Sequence, residues 1–557
     1  MWARFAFVSS AWAQNVPATV DPARVIDRFD REILSDEEDV VVPQGTAEFS
    51  TSYPEGAEGY SFLLEALNIT GVNVYDPAVL LPLYDEHLGQ EISVADLFAI
   101  ADKITKFYRD DGYILAQAIV PPQEIDGEQV EIHVTEGHVA QVKLEGGNVS
   151  SSLIKRMTEK IKHAPAFNVN LLERQLLLLN RMTGVRAVGV IEPVSEPDLA
   201  LPGAVALKII FTQRDNDYLV SLDNYGSKFV GPWQFGASVE IPHTTLFNGL
   251  TNMAAYTTPQ FKELGFVSFS ETVPLTADGL ALKGGIKYSR SEPGNNLEDL
   301  ELKSRYFSVN LGLEYPLYLR RSKQLDLFGR FEYNNSKSDI LNTRFFDDRL
   351  RVLRTGLKGF DSNILEGQIS GEAIFSQGLD ILGARGPGSI DLSRAQGRSD
   401  FSKVNASMTY LKGFGKSFGF KTSLMTQYAF SPLLSSEEFG YGGYEVGRAY
   451  NSSEITGDSG IAFLTELSYQ GWAHYSGAGL EPGIVPFLFY DAGRVWNRDD
   501  NTDPESGASM GAGFDLNWGG DANLRFTVAQ PLSRRVQNPA YGNGKNPVYL
   551  ISLKKQF

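Results

Sequence analysis

The sequence predicts an α+β N-terminal region followed by an all-β, 16-stranded antiparallel transmembrane β-barrel. Two units within residues 59–214 share one β-α-α-β-β order, which indicates an internal repeat. Helical periodicity ends near Asp217, and segments of roughly ten residues then alternate apolar and polar side chains, the length that an oblique membrane crossing needs. The polar positions of these segments include charged residues, which indicates a wet inner face rather than the packed core of a soluble sandwich.

Length and composition exclude several classes of protein. The chain has 557 residues, more than one ordinary domain contains. Its net charge of −18 argues against nucleic acid as a partner, because phosphate binding requires clustered Lys and Arg. It has no apolar run of about 18 residues, so no helix is predicted to cross a membrane. Its 54 Gly, 34 Phe and 24 Tyr suit a barrel whose strands are apolar on one face only.

The first 58 residues are interpreted as an export signal, a short helix and a linker. A basic residue, a short apolar stretch and a small-x-small cleavage pattern follow one another up to Ala13. Residues 1–13 are therefore interpreted as the remnant of a signal peptide. Asp21 can cap a helix whose first turn contains Pro22. The acidic sequence that follows is interrupted by Pro and Gly, so residues 14–58 are predicted to be a helix with its linker, the alternative being a disordered acidic tail.

Each repeat is predicted to be a small α/β module. In the first, residues 59–137, a strand at Phe62–Ile69 precedes two helices, the second with apolar residues at helical spacing from Val94 to Tyr108. Two strands complete this module. The second module covers residues 138–214. Its predicted elements are the strand Val139–Leu144, the helices Leu153–Ile161 and Leu171–Met182, and the strands Val185–Ile191 and Val205–Phe211.

The barrel, residues 215–557, is predicted from sixteen segments whose side chains alternate with period two. An even number is usual in bacterial barrels, and sixteen strands enclose an aqueous channel. With the N-terminal modules in the periplasm, the first strand runs outward, so the loop Phe439–Gly460 between the eleventh and twelfth strands is extracellular. Phe557 ends the chain on an apolar face, which resembles the assembly signal of outer-membrane proteins. The segments are placed near residues 218, 234, 248, 262, 280, 304, 324, 348, 366, 402, 418, 461, 486, 508, 522 and 547.

Two motifs in the barrel carry the functional hypothesis. The loop Phe439–Gly460 is rich in Gly and has no strand or helix periodicity, and such long loops inside a β domain are usually functional or disordered. Its central residues are Gly447, Arg448, Ala449 and Tyr450. The second motif is Phe489-x-Asp491-x-Gly493, within a predicted strand. Because a carboxylate facing lipid would cost several kcal/mol, this Asp is expected to face the lumen.

These motifs resemble those of a known family. The pattern G-R-A-Y at 447–450 resembles the V-R-G-[FY] signature of the BamA-type superfamily of outer-membrane barrels. The longer run YEVGRAYNSSEITGDSG resembles its version in two-partner secretion transporters of the ShlB/FhaC, haemolysin-activator type, and the repeats resemble a pair of POTRA modules. The resemblance implies a plug helix near the N-terminus and a loop that folds into the lumen. It also implies that Arg448 of the loop pairs with Asp491 of the wall, as the fork of an Arg can do with a carboxylate.

The resemblance also implies the function. It implies export of one dedicated exoprotein, in unfolded form, from the periplasm to the cell surface, without enzymatic activity, cofactor or metal. The barrel is expected in the outer membrane and the POTRA modules in the periplasm, with lipid and the barrel assembly machinery as further partners. Two alternatives stay open: a BamA-type factor that assembles other barrels, and, less favoured, a diffusion porin, in which the tandem modules and the Arg-bearing loop would have no role.

Two further motifs are interpreted as structural. Gly457–Gly460 reads G-D-S-G, as in serine proteases, but none of the six His forms a recognisable pattern with it. The stretch Asp499-x-Asn501-x-Asp503 begins like a calcium loop. Pro504 replaces the Gly that the sharp turn needs, so an acidic surface loop is the better interpretation.

Overall fold

The structure is a computed structural model of the chain. It describes residues 18–24, 56–124, 129–146, 152–182, 185–194, 196, 201–244, 249–415, 417–471, 483–498, 502–518, 521–539 and 542–557. This part of the chain divides into two compact units. One consists mainly of the residues up to Arg214, and the other mainly of those from Asp215 on, together with residues 18–24. The predicted signal peptide remnant, residues 1–13, and most of the predicted linker lie outside the described residues.

The first α/β module is built on a long amphipathic helix. Its elements are β1 (Ser61–Leu63), β2 (Ala66–Thr70), β3 (Glu91–Ser93), α1 (Val94–Asp110), β4 (Gln117–Ile119) and β5 (Gln129–Thr135). The helix begins where Ser93 and Asp96 form a capping box, in which each side chain accepts the backbone N–H of the other. Its apolar face packs on β5, which is paired with β2 in parallel and with β4 in antiparallel.

Two predictions for this module are wrong in detail. The predicted first helix is replaced by three short 3₁₀ turns, Pro77–Val79, Leu81–Leu83 and Asp85–His87, because Pro77 and Pro82 interrupt an α-helix there. The predicted strand Phe62–Ile69 is two strands in different sheets, since the chain leaves β1 at the fully buried Leu64 before β2 begins.

The second module has the predicted order. Its elements are β6 (His138–Glu145), α2 (Ser152–Lys162), α3 (Val169–Met182), β7 (Val185–Pro193) and β8 (Ala204–Gln213). The central strand β8 is parallel to β6 and antiparallel to β7. Both POTRA-like sheets therefore have three strands and leave two outer edges each.

Sixteen antiparallel strands close into a barrel, which confirms the predicted count. They are β9 (Asp217–Asp223), β10 (Gln234–Thr244), β11 (Gly249–Thr257), β12 (Gly265–Pro274), β13 (Ala281–Ser291), β14 (Lys303–Arg320), β15 (Lys323–Ile340), β16 (Thr343–Ile364), β17 (Gly367–Gly378), β18 (Ser402–Phe414), β19 (Phe418–Ala429), β22 (Ser459–Tyr469), β23 (Gly483–Trp496), β24 (Glu505–Trp518), β25 (Ala522–Pro531) and β26 (Val548–Gln556). The last strand pairs with the first, so that Leu553 lies opposite Leu222.

Side chains alternate between the two faces of the barrel wall as predicted. On β15, Leu325 and Leu327 are exposed on the outer face, whereas Gln324 and Asp326 are buried on the inner face. Among the described residues, no helix is long and apolar enough to cross a membrane. A separate two-stranded hairpin, β20 (Phe439–Tyr441) with β21 (Ile455–Gly457), lies in the connection between β19 and β22.

Candidate functional site

The connection between β19 and β22 is a long, structured loop. The sequence predicts an irregular loop over Phe439–Gly460, but the structure has the hairpin β20–β21 within it, and Ser459 and Gly460 already belong to β22. Gly442 and Gly443 follow β20 with φ angles of +122° and +115°, which residues with a side chain rarely adopt. Alternation alone could not reveal a hairpin whose strands have three residues each.

The tip of this loop packs against the inner face of the barrel wall. The two surfaces form one buried apolar cluster, so the loop occupies the lumen on the side of β22 to β25. The loop contributes Phe439, Tyr441, Val446, Ala449, Tyr450 and Ile455, and the wall contributes Ala462, Leu464, Phe487, Phe489, Val495 and Ala529.

Asp491 is the polar centre of this contact. It lies on β23, has no exposed surface, and faces the lumen as the sequence predicts. Its Oδ1 accepts hydrogen bonds from the Tyr441 hydroxyl at 2.9 Å and from the Ser509 hydroxyl at 2.7 Å. Its Oδ2 accepts the backbone N–H of Arg448 at 3.1 Å. The carboxylate therefore holds the loop through a tyrosine and a main-chain amide.

The Arg448 guanidinium has a different partner from the predicted one. Its Nη1 donates to Glu466 Oε2 on β22 at 2.7 Å, and its Nε donates to the Tyr444 carbonyl at 3.3 Å. Its Cζ lies 4.6 Å from the centre of the Phe489 ring. The side chain is 4% exposed, so this cation is almost fully removed from water.

The predicted side-chain pair between Arg448 and Asp491 is therefore wrong, although the two residues are in contact. The backbone at Arg448 already donates to Asp491, and three donors share that carboxylate. The Arg side chain then extends past it and finds the next inward-facing carboxylate, Glu466, on the neighbouring strand. Glu466 stands on the polar face of a strand that alternation predicts, but the sequence does not indicate which polar residue the Arg meets.

Glu466 belongs to a wider charge cluster. Its Oε2 also accepts from Arg525 Nη2 of β25 at 2.7 Å, and Arg525 lies 3.4 Å from Asp515 of β24. Two guanidinium groups and two carboxylates thus alternate beneath the loop tip. Sequence reasoning missed Arg525 and Asp515, because their proximity depends on the register of three strands.

The other predicted site residues have structural reasons for their identity. Gly447 has a φ angle of +77°, and a Cβ there would lie 2.8 Å from the Cα of Gly442. Ala449 is buried, and Tyr450 donates its hydroxyl to the Ala508 carbonyl at 3.0 Å. Gly493 leaves the space that the Tyr441 ring occupies.

The G-D-S-G motif forms the base of the loop. Asp458 is fully buried and its carboxylate accepts the backbone N–H of Leu433 and of Arg498, each at 2.8 Å. It also pairs with Arg394 of the loop after β17. The Ser459 hydroxyl accepts the Ala429 N–H at 3.1 Å. These contacts join neighbouring extracellular loops, in agreement with the structural interpretation of the motif.

A short N-terminal segment also lies in the barrel. Asp21 Oδ1 accepts the backbone N–H of Ala23 at 2.9 Å, and residues 22–24 are helical, as the predicted cap requires. Arg24 Nε donates to the Ser435 carbonyl of the long loop at 2.7 Å, and its Nη2 lies 3.3 Å from Glu438 Oε2. The rest of the predicted plug helix lies outside the described residues.

Beneath the loop the lumen holds a polar cavity of about 380 Å³. Its lining includes Tyr444, Glu466, Asp515, Arg525 and Lys554. Within the described part of the chain, no group of three His, Cys, Asp or Glu residues is arranged to hold a metal ion. The stretch with Asp499 and Asn501 lies outside that part.

Comparison with known proteins gives two family matches. Residues 209–516 match the family described as haemolysin secretion/activation protein ShlB/FhaC/HecB. Residues 62–137 match the POTRA domain of ShlB type.

Individual proteins resemble the chain over most of its length. The heme/hemopexin transporter protein HuxB of Haemophilus influenzae is 24% identical over 502 residues, 86% of each chain. The hemolysin transporter protein ShlB of Serratia marcescens is 25% identical over 507 residues, 87% of this chain and 84% of that one. The structure of CdiB from Escherichia coli superposes with a TM-score of 0.77 at 18% identity and covers 96% of both chains.

Proposed function

The chain belongs to the haemolysin secretion/activation family ShlB/FhaC/HecB, and we propose that its cargo is one dedicated exoprotein that crosses the barrel unfolded. As a family member it is an outer-membrane transporter of two-partner secretion, with its POTRA modules in the periplasm. The identity of the partner and its unfolded state belong to the proposal. We also propose that the barrel assembly machinery inserts the barrel, since the apolar face of β26, which closes the barrel onto β9, resembles the assembly signal of outer-membrane proteins.

The observation that carries the proposal is the anchored loop in the lumen. The loop occupies the lumen along β22 to β25 and narrows the channel there, so we expect a polypeptide to pass only when the loop moves. The residues Gly447, Arg448, Ala449, Tyr450, Phe489, Asp491 and Gly493 are therefore proposed as the lock between loop and wall. Its polar part consists of the ion pair from Arg448 to Glu466 and the hydrogen bonds at Asp491.

The burial of the ion pair between Arg448 and Glu466 makes the loss of either partner costly, as a lock between loop and wall requires. Charges this deeply buried contribute little net stability when paired, because desolvation offsets their attraction. Removing one partner leaves the other uncompensated, which costs about 3–5 kcal/mol. The two partners differ here, since loss of Arg448 leaves Glu466 paired with Arg525, whereas loss of Glu466 takes a carboxylate from both cations.

Cargo binding is proposed at the sheet edges of the POTRA modules. In the first module β4 is an outer strand, and Ile119 on it is exposed. In the second module β7 is an outer strand, with Val190 exposed. Unpaired edge groups can add an extended chain as a further strand, which suits an unfolded cargo with no fixed surface of its own.

The test is a set of substitutions read as the amount of secreted partner per inserted barrel. We expect Arg448→Ala to reduce secretion and Glu466→Ala to reduce it further, with the double variant little worse than Glu466→Ala alone. Because Arg448→Ala keeps its backbone N–H, its defect should add to that of Asp491→Ala. Arg398→Ala, which removes a cation paired with Asp400 in another extracellular loop, is the matched control and should secrete normally.

Other outcomes would contradict the proposed lock. Normal secretion by both Arg448→Ala and Glu466→Ala would exclude it, and so would strictly additive defects of those two. Deletion of the gene distinguishes the alternatives. An assembly factor would lower the amounts of unrelated barrels, and a porin would change the uptake of small solutes, whereas a dedicated transporter affects its partner alone.

A further inference from the structure

Three cations stand side by side on the outer face of three adjacent barrel strands. Arg290 on β13 lies directly opposite Arg305 on β14, which lies directly opposite Lys337 on β15. We call these three residues the cation row. They lie on the face that carries the exposed Tyr288 and Phe307, and the residues flanking them point inward. The buried flanking residues are Ser289, Ser291, Ser304, Ser336 and Ser338.

The arrangement is unfavourable without an anionic partner. Directly opposed residues on antiparallel strands have Cβ atoms roughly 5 Å apart, and like charges at that distance repel. Within the described residues, the guanidinium groups of Arg290 and Arg305 take part in no side-chain hydrogen bond and no ion pair. The chain as a whole has an excess of 18 negative charges, yet in the described part of the chain neither of these two guanidinium groups is paired with a carboxylate.

The one carboxylate in line with the row is already shared. Asp347 on β16 lies opposite Lys337, but its Oδ2 is held by Arg349 at 2.9 Å and by Arg385 at 3.2 Å. At the other end, Gly265 of β12 lies opposite Arg290 and contributes no side chain. The row thus ends at an acid with other cationic partners on one side, and on the other at a glycine over which the Arg290 side chain lies.

The position of the row along the strands places it at a membrane surface. Tyr288 and Phe307, exposed and aromatic, lie two residues closer to the periplasm and opposite each other, as in the aromatic girdle of a barrel. Since a strand rises about 3.3 Å per residue, the cations stand roughly 7 Å further out. Both β13 and β15 run outward, so this is the extracellular side. The cations therefore face the headgroups of the outer leaflet.

We propose that the cation row binds the phosphate groups of a phosphorylated glycolipid in the outer leaflet. Guanidinium groups match phosphate oxygens in a bidentate fashion, and a Lys adds a third positive charge. The aromatic rings below would contact the acyl region of the same lipid. The inference depends on the orientation of the barrel and not on the nature of the cargo, so it stands or falls separately from the proposed secretion mechanism.

The test uses the full chain in detergent, titrated with lipid A that carries both phosphates, and the bound lipid is counted by native mass spectrometry. The triple variant Arg290→Gln, Arg305→Gln, Lys337→Gln is expected to bind on the order of a hundredfold more weakly, since each cation near an anionic surface is worth about fivefold. Arg305→Gln alone should lose about fivefold, and provides the result if the triple variant does not fold. Arg290→Lys with Arg305→Lys keeps the charge and should bind more tightly than the triple variant.

The controls distinguish a specific lipid-binding site from nonspecific binding of lipid to the barrel. Arg398→Gln, which removes a cation already paired with Asp400, should bind lipid A like the wild type. Dephosphorylated lipid A should bind to the wild type as weakly as lipid A binds to the triple variant, and millimolar inorganic phosphate should not displace lipid A. Equal binding by wild type and triple variant, equal binding of dephosphorylated lipid, or displacement by inorganic phosphate would each overturn the proposal.

Discussion

At the scale of single residues, the contact between loop and wall depends on two missing side chains. The ring of Tyr441 lies over Gly493 of β23 and Gly507 of β24, which are directly opposite each other. A Cβ on either glycine would overlap the ring. The glycines therefore form a slot for the ring, and the slot brings its hydroxyl to within 2.9 Å of Asp491. This explains physically why a Gly follows the Asp by two residues in the wall motif.

We predict that Gly493→Ala loosens the loop without preventing insertion of the barrel. The added methyl displaces the Tyr441 ring and removes one of the three donors to Asp491. Spontaneous openings in planar bilayers should become more frequent, and secretion should fall several-fold. Gly329→Ala on β15 is the matched control, because a Cβ there meets nothing within 4 Å. Equal behaviour of the two variants would show that the slot does not hold the loop.

For single residues, the sequence predicts which face of a strand a side chain occupies but not which partner it contacts. The lumen-facing position of Asp491 follows from the cost of placing a carboxylate in lipid, and needs no neighbours. The partner of Arg448 does not follow, because several inward carboxylates lie within its reach and the strand register decides among them. Glu466 is selected only once β22 is aligned with β23, which places its neighbour Leu464 opposite Asp491.

At the scale of secondary-structure elements, the barrel strands are easier to predict from the sequence than the short turns and hairpins that connect the longer elements. Each barrel strand has one face toward lipid and one toward the lumen, so period-two alternation persists over its length and the sixteen strands are found. The elements of the first POTRA module are harder to predict. Its predicted first helix is interrupted at Pro77 and Pro82, and the 3₁₀ turns found there have no periodic sequence pattern. The hairpin β20–β21 is too short to show alternation.

We predict that the capping box of α1 stabilises the first module by about 1 kcal/mol at neutral pH. Hydrogen bonds from the backbone and the side chain of Ser93 lower the pKa of Asp96. A carboxyl group with a lowered pKa contributes stability above its unfolded value of about 3.9 and loses it as the pH falls through the folded value. Ser93→Ala should therefore destabilise the fragment 59–214 at pH 7, and the difference from wild type should narrow below about pH 4.

Urea denaturation of that fragment, followed by circular dichroism at both pH values, measures this effect. The wild-type fragment at each pH is the reference for the variant. A difference of the same size at pH 7 and at pH 3 would show that the carboxylate of Asp96 is not part of the cap. No difference at pH 7 would show that the helix start does not limit the stability of the module.

At the scale of the whole barrel, two separate parts of the chain are in contact inside the lumen. The long loop covers the side of β22 to β25, while Val20 packs with Phe229, Leu264 and Leu297 near the opposite side. Arg24 connects the two parts through Ser435 and Glu438 of the loop. On the proposed route through the lumen a cargo displaces both parts, and we expect the contacts of Arg24 to couple one displacement to the other.

We predict that deletion of residues 14–57 raises the single-channel conductance in planar bilayers, because the segment that contains Val20 and Arg24 no longer occupies the lumen. Arg24→Ala should produce a smaller effect, more frequent openings at unchanged conductance, since it removes the contact with the loop but keeps the segment. Arg398→Ala, in an extracellular loop that contacts neither part through this side chain, should behave like wild type. If the deletion leaves the conductance unchanged, the N-terminal segment does not limit the channel, and the long loop alone must account for its closure.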